Sequence, residues 1–598
     1  VNVSWRQLSA YVLLLVTIPA ATVLAERPTA PKLLPEATLA FVRVPDSREL
    51  VKRFQETSMG RIGQDEQVRP LVGQLYSSVA EAFAQVEDEV GLPLDQILAL
   101  PQGEVCLAVT APPSGPPAVV LFFEAGEQLP AVQKLLDRVD ELAEQDGSVK
   151  STESVGDAKV IIYTPNGGDP VCYFEREGTI VVSTNVDQAK AILTAWDGNL
   201  PKDSQTLADN RKFSTIMNRC LVSKDDPPQL TWFVDPIRLA KVLGRGNATA
   251  QVGLALLPAL GLDGLQGIGG SATMATEDFD SVTHLHVLID EPRMGVLQAL
   301  AVTSGDCTPE AWVPNDAATY MTLHFDVERS LASATNLYNS LRGEEALQNL
   351  IKRSISEPLE LDFEKDLLGA SAGRFTYLSW IEKPIQLGSQ ANVFGAALKD
   401  KDAFKKVLDK LTTRYGENLE KTAFGATPYW LIKAETPRQR AIEASQEGNR
   451  VRLDIRPPQP CFAIVGDYLL FSDHPGALEH CIATSGDSSR SLAEDLEYKL
   501  IASKIKRQPG GSAPGMISFN RPEEGMRMLY DLAQAENTRQ FLSSRAEESP
   551  FIKNVNKAMS DNPLPPFSVI AQYLAPGGGF LSSDETGFHY ATFQMKRK

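Results

Sequence analysis

Apolar positions along the chain follow two rhythms: short runs with the two-residue step of a strand, and longer runs with the three- and four-residue step of a helix. Thr38–Val44 (TLAFVRV) reads as a strand, and Pro45-Asp46-Ser47 turns it into a short helix from Arg48. From Pro70 onward Leu71, Val72, Leu75, Val79, Ala82, Phe83, Val86 and Val90 recur mostly at helical steps and make one apolar stripe. Pro70 is tolerated in the first turn of that helix, and Gly91 supplies a C-cap. Strands are expected over 104–109 and Ala118–Glu124, and Val132, Leu135, Leu136, Val139 and Leu142 mark another amphipathic helix. After a strand over 158–163, residues 170–193 (PVCYFEREGTIVVSTNVDQAKAIL) read as strand, tight turn, strand and a helix capped by Asn185. A helix near 207–221, the strand Leu230–Val234 and a hairpin over 270–275 and 282–289, turned at Glu277-Asp278, complete this half. The run 252–268, broken by Pro258 and Asp263, reads as a buried helix and loop and not as a membrane span.

The pattern then restarts. Residues 460–482 (PCFAIVGDYLLFSDHPGALEHCI) repeat the strand–turn–strand–helix of 170–193. Cys172 and Cys461 each open a strand, and Ser183 and Ser472 each close the next one eleven residues later. Residues 320–325 answer the first strand, Gly373 answers Gly103, Gly425 answers Gly156, and Phe519-Asn520-Arg521-Pro522 answers Phe233-Val234-Asp235-Pro236. The run Gly577-Gly578-Gly579, read as a turn, precedes a last hairpin strand over 586–595. The expected fold class is α+β: a tandem duplication of a largely antiparallel β-sheet with amphipathic helices packed on it. The repeats are placed at 33–305 and 306–598. The offset is 270 residues at Gly103 and Gly373 and 289 at Cys172 and Cys461, which locates an insertion near 436–459 of the second repeat. That insertion carries Arg438, Arg440, Arg450, Arg452 and Arg456, the candidate ligand-binding residues, since an element present in one copy only is where function departs from scaffold. A plain surface-loop extension is the competing reading.

Composition narrows the classes. A chain of 598 residues exceeds one core, and its net charge of −18 disfavours nucleic acid and anionic lipid. Residues 1–25 read as a signal peptide: Arg6 is the positive start, residues 8–24 are largely apolar, and Val23-Leu24-Ala25 offers a cleavage site before a linker over 26–32. An uncleaved membrane anchor is the alternative, and would be the chain's one link to a membrane. The expected location is periplasmic or extracellular.

No GxSxG, HExxH, Walker A or strand-to-helix GxGxxG motif occurs, and Gly267-x-Gly269-x-x-Ala272 runs into a strand. Ser472-Asp473-His474 is set aside as a triad because triad members converge from separate elements. His284 and His286 share one strand face, with Asp278, Asp280 and His589 as conceivable company, yet ordinary histidines are expected and no metal or cofactor is assigned. Six cysteines without a CxxC pair exclude a zinc ribbon, and Cys172 and Cys461 read as small buried residues. Pairing among the six stays open.

The start Leu-Pro-Glu-Ala-Thr-Leu-Ala-Phe-Val-Arg-Val and the hairpin Gly466-Asp467-Tyr468-Leu469-Leu470-Phe471-Ser472 with its helix resemble exported bacterial proteins, abundant in planctomycetes, that are classed as a domain of unknown function. The resemblance implies export and a duplicated α+β build, and carries no residue roles. The expected function is that of an exported, non-enzymatic protein that binds a protein or small-molecule partner in the envelope. The alternative is a hydrolase with an unrecognised carboxylate-based site in the cleft between repeats.

Overall fold

The computed structural model describes residues 27–112, 115–223, 225–386, 388–433, 456–545 and 550–597. Their contacts divide them into two units, one reaching to Leu256 and including Leu265–Ile289, the other comprising Leu257–Gly264 and the chain from Asp290 onward.

The first unit holds strands β1 (Thr38–Val44), β2 (Val105–Thr110), β3 (Ala118–Glu124), β4 (Val149–Val155), β5 (Ala158–Thr164), β6 (Val171–Arg176), β7 (Thr179–Ser183), β8 (Leu230–Val234), β9 (Leu265–Met274) and β10 (Phe279–Ile289). They pair antiparallel in the order β4-β5-β6-β7-β3-β2-β1-β8-β9-β10. One face buries Phe41, Cys106, Phe122, Cys172, Phe174 and Phe233 beneath the helices Val186–Trp196 and Arg211–Arg219. The other buries Leu121, Phe123, Tyr173 and Ile180 beneath Val132 of the helix Leu129–Gln145 and beneath Leu92, Ile97 and Leu100.

The second unit holds β11 (Thr319–His324), β12 (Ser371–Ile381), β13 (Gln390–Leu398), β14 (Leu419–Phe424), β15 (Thr427–Ile432), β16 (Cys461–Val465), β17 (Tyr468–Ser472), β18 (Met516–Asn520), β19 (Gly577–Asp584) and β20 (Gly587–Met595). Their order, β14-β15-β16-β17-β13-β12-β11-β18-β19-β20, is that of the first unit strand for strand, and again every pair is antiparallel. The fold is α+β, one antiparallel sheet plan built twice in succession. Register agrees as well as order. Cys172 pairs with Ser183 and Cys461 with Ser472, while Phe41 pairs with Phe233 and Tyr320 with Phe519.

Three local expectations need correction. Gly577, Gly578 and Gly579 form no turn; they lie inside β19, where side chains would not fit. A Cβ on Gly578 would stand 2.4 Å from Cγ2 of Ile501 and 2.6 Å from the Ser518 carbonyl, and one on Gly269 would stand 2.8 Å from Cγ2 of Ile216. Gly269 and Gly578 hold the same register position, opposite Phe233 and Phe519, and each lets a helix lay an isoleucine directly on the sheet. The helix Arg69–Val90 forms and ends at left-handed Gly91, but Val72 and Val79 of its stripe face water, while Phe83 and Val90 pack on the core. The apolar run after residue 252 is not buried: the helix Ala248–Ala255 has no buried residue, and β9 begins at Leu265. Among the described residues no helix is long and apolar enough to cross a membrane. The expected signal peptide at 1–25 lies outside the described residues.

Each unit buries one set of charges at the start of its second strand. In the first, Glu104 accepts from Arg27 at 2.7 Å, from Arg43, and from the Ala30 amide at 3.2 Å. In the second, Arg374 pairs with Glu310 at 3.0 Å, and Glu310 also accepts from Tyr320 and Thr376. Glu104 and Arg374 hold equivalent places, each four residues before a register partner of Phe41 or Tyr320 (Ala108 and Leu378). The sign of the charge is reversed between the copies, and each copy draws a complement, Arg27 or Glu310, from the segment that precedes its first strand, with Arg43 of β1 added in the first unit.

Candidate functional site: an open aromatic face

The alternation of side chains along a strand puts every second residue on one face. In the second unit that rule lines up Tyr377, Phe394, Phe471, Phe462 and Trp430, because these five are successive register partners across β12, β13, β17, β16 and β15. Trp430 and Phe462 stack at 5.5 Å with Lys421 above the indole, and Phe462 meets Phe471 at 5.8 Å. One end of the row is roofed: Leu408 of the helix Lys401–Arg414 packs on Trp430 and Phe462, which are buried. The other end is open. Phe394 is 45% exposed and Phe471 43%, and Tyr377 is half-buried.

The first unit shows what this face looks like when closed. Register places Leu121 where Phe394 stands and Val182 where Phe471 stands. Leu121 is 8% exposed and belongs to the core beneath Leu92, Ile97 and Leu100. In the second unit the corresponding connection, with Leu359, Leu361 and Leu367, packs on Leu398, Phe404 and Val407 instead, and leaves the pair Phe394–Phe471 uncovered. The first unit does expose Val42 and Leu107 on its neighbouring strands, but these are aliphatic and offer no ring face.

Polar side chains close the row at the end where β13 begins and β17 ends. Asn392 is the hub. Its carbonyl oxygen accepts from the Tyr377 hydroxyl at 2.7 Å and from Gln390 at 3.2 Å, and its Nδ2 donates to Asp473 at 2.6 Å. Asp473 also accepts the Asn392 amide at 2.7 Å and Nδ1 of His474 at 3.0 Å. Burial alone would raise the Asp473 carboxyl; the hydrogen bonds from His474 and Asn392 outweigh it and hold the group below the ordinary carboxylate range. The first unit has Val119 and Thr184 at these two places, with the Thr184 hydroxyl accepting the Val119 amide at 2.9 Å. One copy thus carries an aromatic and amide surface where the other carries a plain aliphatic one.

The arginine-rich insertion leaves from the end of β15 and returns before β16, at this same end of the sheet. Arg438, Arg440, Arg450 and Arg452 lie outside the described residues. Arg456 is described and pairs with Glu382, with a further bond to the Lys383 carbonyl at 3.4 Å. Glu382 in turn sits over the first turn of the helix Pro475–Ser485, where a Cβ on Gly476 would lie 3.2 Å from its carboxylate oxygen. That places a carboxylate of the chain itself beside the helix N-terminus.

The other sequence candidates are placed differently. The Ser472 hydroxyl donates to the main-chain carbonyls of Asn392 and His474, both at 2.9 Å, so its proton is directed to the backbone and away from the imidazole. His284, His286 and His589 are buried, and Asp280 is occupied by the amide and hydroxyl of Ser58 at 2.6 and 2.9 Å. No group of three or more His, Cys, Asp or Glu side chains among the described residues is arranged to hold a metal ion. All six cysteines are free and buried, and burial pushes the thiols of Cys172 and Cys461 up to about 12.

Comparison with protein families, with curated proteins and with solved structures finds no match.

Proposed function

We propose that this is an exported, non-enzymatic binding protein of the cell envelope, and that the open aromatic face of the second unit is its binding surface. The observation that supports the reading is the pair Phe394–Phe471, exposed in one copy where the register-equivalent Leu121 of the other is buried. Leaving two phenylalanines in water forgoes burial energy that the same fold recovers at Leu121 in its first copy, and Asn392, Gln390 and Tyr377 give the pair a polar rim. Export rests on residues 1–25, and the resemblance to exported duplicated proteins agrees with it.

Hydroxyl-radical footprinting of the full chain tests the proposal. Phenylalanine labels readily when exposed, so Phe394 and Phe471 should label strongly in buffer and be protected when envelope extract of the source organism is added. Equal labelling with and without extract would rule this face out as the binding surface.

A further inference from the structure

We infer that the open face takes a neutral saccharide chain, its sugar rings stacking on Phe394 and Phe471 and its hydroxyls meeting the polar end at Gln390 and Tyr377. The inference rests on the reading of this face as the binding surface, and it narrows the ligand by area, charge and shape.

Area comes first. The two rings, each of about 150–250 Å² in total and a little under half exposed, leave on the order of 150–200 Å² of apolar surface in water. A stable protein partner or a second copy of this chain needs about 800 Å² on each side. Little more than half of such an area is apolar, roughly 450 Å², and the two rings supply under half of that, the size of one or two ring-shaped groups.

Charge comes second. At this end Asp473 is held ionised, and the one described arginine, Arg456, is already paired with Glu382. The chain as a whole is at −18, which disfavours an anionic ligand, and at this end exposed Lys383 is the cation such a ligand would have to use.

Shape comes third. Tyr377, Phe394 and Phe471 lie on three adjacent strands, whose backbones run about 4.8 Å apart, and the Phe394 ring stacks on Phe375 of β12 at 6.2 Å. That interval is about the span of one pyranose ring. A pyranose presents a flat face of C–H groups to an aromatic ring, while its hydroxyls radiate in the ring plane towards donors and acceptors at the edge. The carboxamide of Gln390 is exposed there, and the Tyr377 hydroxyl keeps acceptor capacity after donating to Asn392.

The test is isothermal titration of the full chain with cellohexaose, chitohexaose and mannohexaose, with a sulfated dextran as the anionic control. At least one neutral hexasaccharide should bind and the sulfated chain should not. The double substitution Phe394→Ala with Phe471→Ala should weaken binding by about tenfold or more, whereas Phe394→Trp should hold it within about threefold. Circular dichroism checks that each variant is folded, and the tryptophan variant keeps the test informative should the alanine pair unfold. The saccharide inference is overturned if none of the three hexasaccharides binds, or if binding survives the alanine pair unchanged. In that event, protection of Phe394 and Phe471 by envelope extract would still sustain the binding face with a ligand of another class, and lack of protection would remove both.

Discussion

Phe394 on β13 and Phe471 on β17 are register partners on one face of the second sheet, and both stand close to half exposed. In the first unit Leu121, the counterpart of Phe394, is sealed in the core, and Val182, the counterpart of Phe471, packs against it half-buried. The same sheet plan therefore tolerates either arrangement, and what differs is where the connecting helices come down.

If the two phenylalanines are held for recognition and not for packing, removing them should cost the fold little. Phe394→Ser with Phe471→Ser gives up only the buried half of each ring and its contact with Phe375 or Phe462, and is expected to cost about 1 kcal/mol per ring. Leu121→Ala should cost about 2–5 kcal/mol in the first unit. Chemical denaturation followed by circular dichroism makes the comparison, and equal losses at the two sites would refute it.

Asp473 gives a pH dependence whose sign is fixed. Its folded pKa lies below the unfolded value, so the stabilisation is present above the ordinary carboxylate range and is lost as pH falls through the folded pKa. Wild type should therefore lose stability relative to Asp473→Asn as the pH drops below about 4. A difference curve that stays flat from pH 7 to pH 2.5 would show the carboxylate to be unlinked to folding.

The buried charges predict a third result. Glu104→Gln strands Arg43, while Arg27 keeps Glu124 at 3.0 Å, and Arg374→Met strands Glu310, so the second change should destabilise its unit by about 3–5 kcal/mol and the first by less. Replacing Arg374 and Glu310 together by apolar residues should recover most of the loss, because no charge is then left unpaired. Thermal denaturation of the single and double variants checks this, and a double variant no better than the singles would contradict it.

Glycines of the two kinds should separate cleanly. Gly578→Ala drives a methyl into Ile501 and the Ser518 carbonyl and should cost about 1–3 kcal/mol. Gly525, in the helix Pro522–Gln534 with nothing within 4 Å of its Cβ position, should gain about 0.5–1 kcal/mol on replacement by alanine. Midpoints that move the same way would mean that the close approach in β19 is not what the glycine serves.

Much of this architecture was legible in the chain, because local pattern and tertiary need coincided. Thr38–Val44 forms a strand over those same residues, and the Cys–Ser spacing of eleven residues marks the same cross-strand pair in both units. Other elements left no such trace. Val149–Val155 (VKSTESV) and Leu419–Phe424 are edge strands, exposed and charged, and nothing in their composition separates them from loops. The stripe of the helix Arg69–Val90 has the right period, but period says which residues share a face and not whether anything covers it. Phe394 and Phe471 were silent for the same reason, since an apolar alternation looks alike under a helix and under water. A signal was available nonetheless. Once the copies are set in register, Val119, Leu121, Val182 and Thr184 become Asn392, Phe394, Phe471 and Asp473, a change to amide, aromatic and acid confined to one face. The partner of Arg374 was beyond reach, because Glu310 lies far from it in sequence and in a segment without periodicity.

Native mass spectrometry of the protein purified gently from the envelope of its source, as wild type and as the Phe394→Ser, Phe471→Ser variant, tests the central claim most directly. The account predicts a mass above that of the chain in the wild type, lost on denaturation, and absent from the folded double variant. The same added mass on both proteins would place the binding site elsewhere, and a bare chain in both would contradict the binding role itself.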